Sequence, residues 1–107
     1  MRDGKWVVVE TKVGELVVNV GYQLQVLSNG RYMSVLHRAV VNKDMERLSM
    51  LMFYCPGPEK VVEATGELVD EEHPRLYKKF TYGDYTDKFW KGGLRMESFL
   101  DLFRESE

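Results

Sequence analysis

The sequence predicts a mainly β fold, a piece of a β-sandwich or jelly roll, followed by helices at the C-terminal end that cover it. Short runs rich in β-branched residues occupy the first half of the chain. Two prolines in residues 56–58 end this pattern, because proline cannot donate to a strand ladder. Apolar residues at helical spacing follow them. We therefore expect core strands in residues 1–58, and a connector with packing helices in residues 59–107.

The first half of the chain has four strand-like segments. A polar loop of hairpin length, residues 42–46, joins the last two, and Ser28-Asn29-Gly30 would end a single helical turn at Tyr22–Leu27. Four strands are too few to close a barrel, so we expect an incomplete barrel with open sheet edges. The predicted strands are residues 6–9, 16–20, 31–41 and 46–54.

The second half of the chain has helical signals. Residues 67–72 indicate a polar connector or a short helical turn. Thr81 is placed to cap a helix over about Tyr82–Trp90, with Asp84 near the positive end of its dipole. A last helix is expected from about Met96, and its apolar face is formed by Phe99, Leu100 and Phe103.

Composition limits the classes of function. The 107 residues allow one domain, and the net charge of -2 with scattered basic residues predicts no nucleic-acid partner. No apolar run is long enough to cross a membrane, and no signal-peptide pattern opens the chain. The single cysteine, Cys55, fits a reducing compartment and hence a cytoplasmic protein. At a strand end before Pro56, Cys55 is interpreted as a partly buried structural thiol in preference to a nucleophile.

Three polar residues lie on apolar faces of the last two predicted strands. Side chains alternate along a strand, so His37 would share a face with Met33 and Val41, and Arg47 and Ser49 would share another. Buried polar groups need partners, which a metal could provide for His37 and a carboxylate for Arg47 and Ser49. A histidine on an apolar strand face is more often a buried core residue with satisfied hydrogen bonds than a metal ligand, and from the residues alone this is the favoured interpretation of His37.

Two alternatives to ligand binding concern the charged residues. Arg47 could pair with Glu15 or Glu46. The acidic residues 70–72 and His73 resemble a metal-binding cluster, but we interpret them as a solvated loop interrupted by Pro74. We interpret four helix aromatics as packing residues and not as a nucleic-acid platform: Tyr82, Tyr85, Phe89 and Trp90.

Several segments together resemble plant-type iron(II)/2-oxoglutarate-dependent dioxygenases, the isopenicillin N synthase-like oxygenases. The matching residues are similar to the C-terminal half of the family's double-stranded β-helix, and they cover nearly the whole chain. They are GELVVNVG (14–21), QLQVLSNGRY (23–32), SVLHRAVVN (34–42), RLS (47–49), FYCP (53–56), LVDEEHPRLY (68–77) and FTYGDY (80–85).

The resemblance implies a role for each of the three polar residues. His37 matches the distal histidine of a triad of two histidines and one carboxylate that holds Fe(II). Arg47 and Ser49 match an R-x-S pair that binds the far carboxylate of 2-oxoglutarate through the planar guanidinium and a hydroxyl donor. The resemblance implies that 2-oxoglutarate is decarboxylated to succinate while a small molecule is hydroxylated or desaturated, and some close relatives of the family use ascorbate in place of 2-oxoglutarate.

Two of the family's three iron ligands have no match in this chain. They form an H-x-D pair upstream of the matching segments, and the other histidine, His73, is followed by Pro74 and Arg75. Tyr22 stands where the family usually has aspartate after Gly21. We therefore expect the C-terminal part of an oxygenase, inactive alone. The alternatives are a non-catalytic remnant that associates through open sheet edges and, least favoured, a composite site built from two copies.

Overall fold

The computed structural model describes residues 4–92 and 99–105 and divides the chain into two compact units. The first unit contains residues 1–19 and 35–54, and the second contains residues 20–34 and 55–107. Each unit is thus built from two stretches of sequence that are separated by a stretch of the other unit. The predicted division at residue 58, between core strands and the packing helices of an oxygenase domain, stays a prediction.

The second unit holds the helices and paired strands of the described residues. Tyr22–Leu27 forms α1, Val61–Val62 forms β1, Phe80–Thr81 forms β2, and Tyr82–Gly92 forms α2. The strands are antiparallel, with Val61 opposite Thr81 and Val62 opposite Phe80. Two 3-10 helices, Gly66–Leu68 and Phe99–Phe103, complete the elements. The structure confirms the predicted helical turn at Tyr22–Leu27, a short helical turn in the connector at Gly66–Leu68, and the helix that begins at Tyr82.

The start of α2 is fixed by its predicted cap. The Thr81 hydroxyl accepts a hydrogen bond from the backbone N–H of Asp84 at 3.1 Å, which satisfies one of the amides that a helix leaves open at its N-terminus. The backbone N–H groups of Tyr82 and Gly83 donate to the carbonyls of Lys60 and Pro58, at 2.9 and 2.8 Å. The helix therefore begins directly on the strand pair.

The hydrophobic core lies entirely in the second unit. The ring centroids of Phe80 and Phe103 are 4.4 Å apart. The rings of Tyr85 and Phe99 pack edge to face, with their centroids 5.6 Å apart. The predicted burial of Phe99, Leu100 and Phe103 is confirmed, although they lie on a 3-10 helix. The predicted start of that helix, Met96, lies outside the described residues. The core cluster consists of Val26, Val62, Tyr77, Phe80, Tyr85, Phe99, Leu100 and Phe103.

A buried asparagine connects distant segments of the second unit. Asn29 has a φ of 49°, a left-handed conformation that asparagine tolerates better than most residues. Its side-chain oxygen accepts from the Leu76 backbone N–H at 3.0 Å, and its amide donates to the carbonyls of Pro74 at 3.1 Å and Leu68 at 3.4 Å. One side chain thereby holds both ends of the 68–76 loop.

Next to Asn29, two further polar side chains are buried and satisfied. Gln25 donates to the Tyr77 hydroxyl at 2.7 Å and accepts from the Ser34 backbone N–H at 2.8 Å. The Ser28 hydroxyl donates to the Gln25 carbonyl at 3.2 Å and accepts from the Tyr32 N–H at 3.1 Å. Among the described residues, every buried side-chain nitrogen and oxygen has a partner. Burial therefore leaves none of these groups with an uncompensated desolvation cost.

The first unit corrects the strand prediction. In the described part of the chain, none of the four predicted strand segments pairs with another strand, and every described residue of this unit is exposed. A strand needs a neighbour to accept and donate its backbone hydrogen bonds, and a sequence pattern does not show whether that neighbour is present. The paired strands lie instead beyond Pro58, where the sequence predicted that strands had ended.

We expect Asn29→Ala to destabilise the second unit by about 2 kcal/mol, because it leaves buried backbone groups unpaired and removes the residue that tolerates a positive φ. Urea unfolding followed by circular dichroism measures this change. The matched control is Asn42→Ala, whose exposed side chain accepts one bond from the Asp44 N–H at 2.9 Å, and which should stay within about 0.5 kcal/mol of the parent. Equal losses in the two variants would contradict the role given to Asn29.

Candidate functional site

His37 is exposed, which corrects the inward-facing position predicted for it. Its Nδ1 lies 2.9 Å from the Val35 carbonyl oxygen. A carbonyl only accepts, so this bond requires the proton on Nδ1 and leaves the lone pair of Nε2 pointing away. Metal-binding histidines commonly donate their other ring N–H to a carbonyl in this way. The local geometry of His37 is therefore compatible with coordination through Nε2.

Arg47 and Ser49 are also exposed, contrary to the inward face predicted for them. Arg47 is among residues 39–48, which line an open concavity of about 890 Å³, whereas His37 and Ser49 are not in this lining. Within the described residues, no ion pair joins Arg47 to Glu15 or Glu46. The guanidinium is thus available to a carboxylate from outside the described residues.

The described residues do not fit an Fe(II) site by themselves. No group of three histidine, cysteine, aspartate or glutamate side chains comes together in residues 4–92 and 99–105. A stable non-haem iron site takes two histidines and a carboxylate, and here one imidazole stands alone. His37 can contribute one ligand, and the others have to come from outside these residues.

The second histidine belongs to a loop turn and not to a metal site. The Asp70 carboxylate accepts from the His73 backbone N–H at 2.7 Å and contacts the His73 ring Nδ1 at 2.9 Å. The hydrogen bond from the His73 side chain is the main reason that the pKa of Asp70 is lowered from its usual value. All residues from 70 to 73 are exposed. The interpretation of this cluster as a solvated loop is confirmed.

Tyr82, the first residue of α2, interacts with Cys55. Cys55 is exposed, so its predicted partial burial was wrong. The pKa of Tyr82 is raised, first by burial and second by a hydrogen bond with Cys55. Burial raises the pKa of Tyr85 to about 12, while a hydrogen bond with Gln23 opposes the rise. The predicted packing role is confirmed for Tyr85, which is buried, whereas Trp90 is 79% exposed.

Sequence reasoning missed the buried polar side chains Gln25, Ser28 and Asn29. The Asn29-Gly30 pair carried a usable signal, because this dipeptide favours positive φ angles, which are 49° and 81° here. A Cβ at Gly30 would lie 2.9 Å from the end of the Leu76 side chain, which would have to shift to make room for it. No pattern in the sequence indicates that Asn29 bonds to a loop 39–47 residues away.

Comparison with known proteins gives consistent matches. The model of the 2OG-Fe(II) oxygenase superfamily matches residues 1–56, a segment that contains His37, Arg47 and Ser49. Protein DMR6-LIKE OXYGENASE 2 of Arabidopsis thaliana is 48% identical over an alignment of 107 positions that covers 98% of this chain and 31% of that protein. Flavanone 3-dioxygenase 2 of Oryza sativa subsp. japonica is 46% identical over 104 residues, with coverage of 97% and 30%.

A solved structure is similar as well. The crystal structure of a dioxygenase for auxin oxidation in rice aligns with a TM-score of 0.73 at 34% identity and covers 95% of this chain and 35% of that one. The chain thus spans about 30% of the length of the curated relatives that it matches. In the described residues no helix has the length and apolarity needed to cross a membrane.

We expect the stability of the chain to fall as the pH rises from 10 to about 12. Tyr85 keeps its proton to about pH 12 when folded, whereas an unfolded tyrosine loses it near pH 10, so rising pH favours the unfolded state. Urea midpoints across this range should fall less steeply in Tyr85→Phe than in the parent. Tyr54→Phe, at a fully exposed position, should retain the parent's slope. Parallel curves for Tyr85→Phe and the parent would be evidence against the raised pKa.

We expect the isolated chain to show no saturable Fe(II) or Co(II) binding at micromolar protein, because one imidazole is a weak site. Anaerobic equilibrium dialysis measures this, and His37→Ala and His73→Ala should both match the parent. Stoichiometric binding that is lost in His37→Ala and kept in His73→Ala would show that this chain supplies further iron ligands by itself.

Proposed function

Because this chain belongs to the 2OG-Fe(II) oxygenase superfamily, we propose that it is the C-terminal part of a plant 2-oxoglutarate- and Fe(II)-dependent dioxygenase. The observation that carries the proposal is that the family match spans all three candidate residues, His37, Arg47 and Ser49. The likeness to a solved dioxygenase at a TM-score of 0.73 supports it. In the complete domain, residues 1–58 would form C-terminal strands of the double-stranded β-helix, and residues 59–107 would pack on it.

The substrate class follows from the relatives. Their names refer to flavanone, to gibberellin in gibberellin 20 oxidase 1 of Oryza sativa subsp. japonica, which is 43% identical, and to auxin. All three are small plant metabolites, and we infer that the complete enzyme hydroxylates or desaturates a compound of this kind in the cytoplasm. When bound, Fe(II) and the cosubstrate 2-oxoglutarate would supply the oxidising chemistry with O2 as the oxidant, and ascorbate would serve as an assay reductant.

The chain's own residues would bind and orient these groups. His37 would present Nε2 to the metal, because its Nδ1 is bonded to the Val35 carbonyl. Arg47 would offer a planar pair of N–H donors to the distal carboxylate of 2-oxoglutarate, and Ser49 a hydroxyl donor beside it. One imidazole does not hold Fe(II), so we infer that the chain is inactive alone.

The proposed function is tested by succinate release from 2-oxoglutarate with Fe(II) and ascorbate. We expect none from the chain alone, and turnover when the N-terminal two thirds of a relative, which carries the H-x-D pair, is added. His37→Ala and Arg47→Ala should each abolish that turnover, because they remove a metal ligand and the carboxylate anchor. His73→Ala and Arg31→Ala, at exposed positions outside the proposed site, are the matched controls.

The result has two clear readings. Turnover lost only in the His37 and Arg47 variants would support the proposed roles. Equal turnover in all four variants, or succinate from the chain alone, would contradict them.

A second candidate function is a non-catalytic interaction protein. The observation that favours it is the amount of exposed apolar surface in the first unit, including Val13, Leu48 and Tyr54 at 95–106% of full exposure. Such surface is typical of interaction sites. In size-exclusion chromatography this candidate requires a dimer or larger assembly, and a monomer at all concentrations would count against it.

A further inference from the structure

We propose that the Asn29-Gly30 pair is a latent site of spontaneous deamidation, which the folded second unit masks and which becomes reactive when the loop of residues 68–76 opens. Deamidation at this pair then prevents the unit from closing again. The inference concerns bonds within the second unit and does not depend on the proposed function.

The pair supplies the reacting atoms. The backbone nitrogen of Gly30 loses its proton and bonds to the side-chain carbonyl carbon of Asn29, the Cγ–Nδ2 bond breaks, and the side-chain nitrogen leaves with a proton as ammonia. The resulting five-membered succinimide adds water at either of its two carbonyls and opens to an aspartate or an isoaspartate at position 29. The net change is amide plus water to acid plus ammonia, so no oxidant or reductant is needed.

The glycine makes this asparagine more reactive than the others. The chain has three asparagines, and the other two precede Val20 and Lys43. A side chain on the second residue of the pair crowds the approach of its backbone nitrogen to the asparagine carbonyl, whereas glycine has no side chain. In the unfolded chain, Asn29 is therefore the asparagine that reacts first.

In the fold, both reacting groups are held in other hydrogen bonds. The Gly30 N–H donates to the Gln25 carbonyl at 2.8 Å, and this bond retains the proton that the reaction must remove. The Asn29 side chain is buried, and its amide is bonded to three backbone groups of residues 68–76. Its carbonyl carbon is thereby prevented from turning toward the Gly30 nitrogen. Reaction requires the loop to open and release the side chain.

The product does not fit the place that the amide occupies. The Asn29 amide nitrogen donates to the carbonyls of Pro74 at 3.1 Å and Leu68 at 3.4 Å. A carboxylate only accepts, so it would place a negative charge against these two oxygens in a buried position. An isoaspartate also adds one carbon to the main chain, within a turn where the φ of Asn29 is 49°. The reaction thus converts a reversible opening into a permanent one.

The test compares the three asparagines within one sample. The full chain is held in mildly alkaline buffer with and without urea and digested with pepsin at acid pH, and the acidic products are located by mass spectrometry. In urea, Asn29 should deamidate faster than Asn19 and Asn42. Without urea, Asn29 should react about a hundredfold or more slowly than in urea, because only the open state reacts. The exposed Asn19 and Asn42 should keep rates close to those in urea.

A matched pair of tyrosine variants tests the route through loop opening. Tyr77→Phe removes the hydroxyl that accepts from Gln25 at 2.7 Å and leaves Asn29 and Gly30 unchanged. Without urea it should speed deamidation of Asn29 by about fivefold or more, because a lost buried hydrogen bond increases the open population. Its rate in urea should equal that of the parent. Tyr54→Phe, at a fully exposed position, should match the parent in both conditions.

Three results would overturn the proposal or a part of it. Equal rates at Asn29 with and without urea would overturn the masking, and an unchanged rate in Tyr77→Phe would overturn loop opening as the route. Permanent opening is tested with Asn29→Asp, which should unfold at a lower urea concentration than the parent, whereas Asn42→Asp should keep the parent's midpoint. Equal midpoints in these two variants would show that the deamidated chain still closes.

Discussion

The burial of aromatic and aliphatic side chains between α1, the strand pair and the C-terminal 3-10 helix is the constraint on which the remaining structure depends. Tyr77 and Leu100 are almost completely buried, and the ring of Tyr85 contacts Phe80, Phe99 and Phe103. Aromatic residues bury more surface than any others, and their pairing adds to that gain. The core is therefore built by residues from five elements, α1, β1, β2, α2 and the C-terminal 3-10 helix, and not by any one local segment.

Buried polar groups make this core specific as well as stable. Gln25 and Tyr77 are 52 residues apart in sequence and share a 2.7 Å hydrogen bond, while Asn29 holds the loop around Pro74. An apolar core tolerates shifts in packing, but an unmatched amide in a low-dielectric interior is costly. The hydrogen bonds from Gln25 to Tyr77 and from Asn29 to Pro74 thus fix the position of α1 against residues 68–77, because a shift of either segment would leave these buried groups unpaired.

Local features of the second unit were predictable from the sequence, and those that depend on distant partners were not. The Thr81 cap, the helix at Tyr82 and the apolar face of Phe99, Leu100 and Phe103 are set by residues within a turn or two. By contrast, the strands predicted around His37 and Arg47 require neighbours, and the period-2 pattern carries no information on whether these exist. The short β1–β2 pair was missed because two-residue strands have almost no pattern.

The need for buried side chains also affects the candidate site. His37, Arg47 and Ser49 all lie in the unit whose described residues are all exposed, and an exposed guanidinium attracts a carboxylate only weakly because water screens the pair. Covering the first unit would lower the local dielectric around Arg47 and would strengthen the bidentate bond that we propose it forms with a carboxylate. Desolvation would also hold the His37 imidazole in the orientation that its bond to Val35 already favours. Under the proposed function, cosubstrate binding would therefore be coupled to completion of the domain, since the proposed contacts of Arg47 and Ser49 to 2-oxoglutarate would be strengthened by the burial that the described residues of the first unit lack.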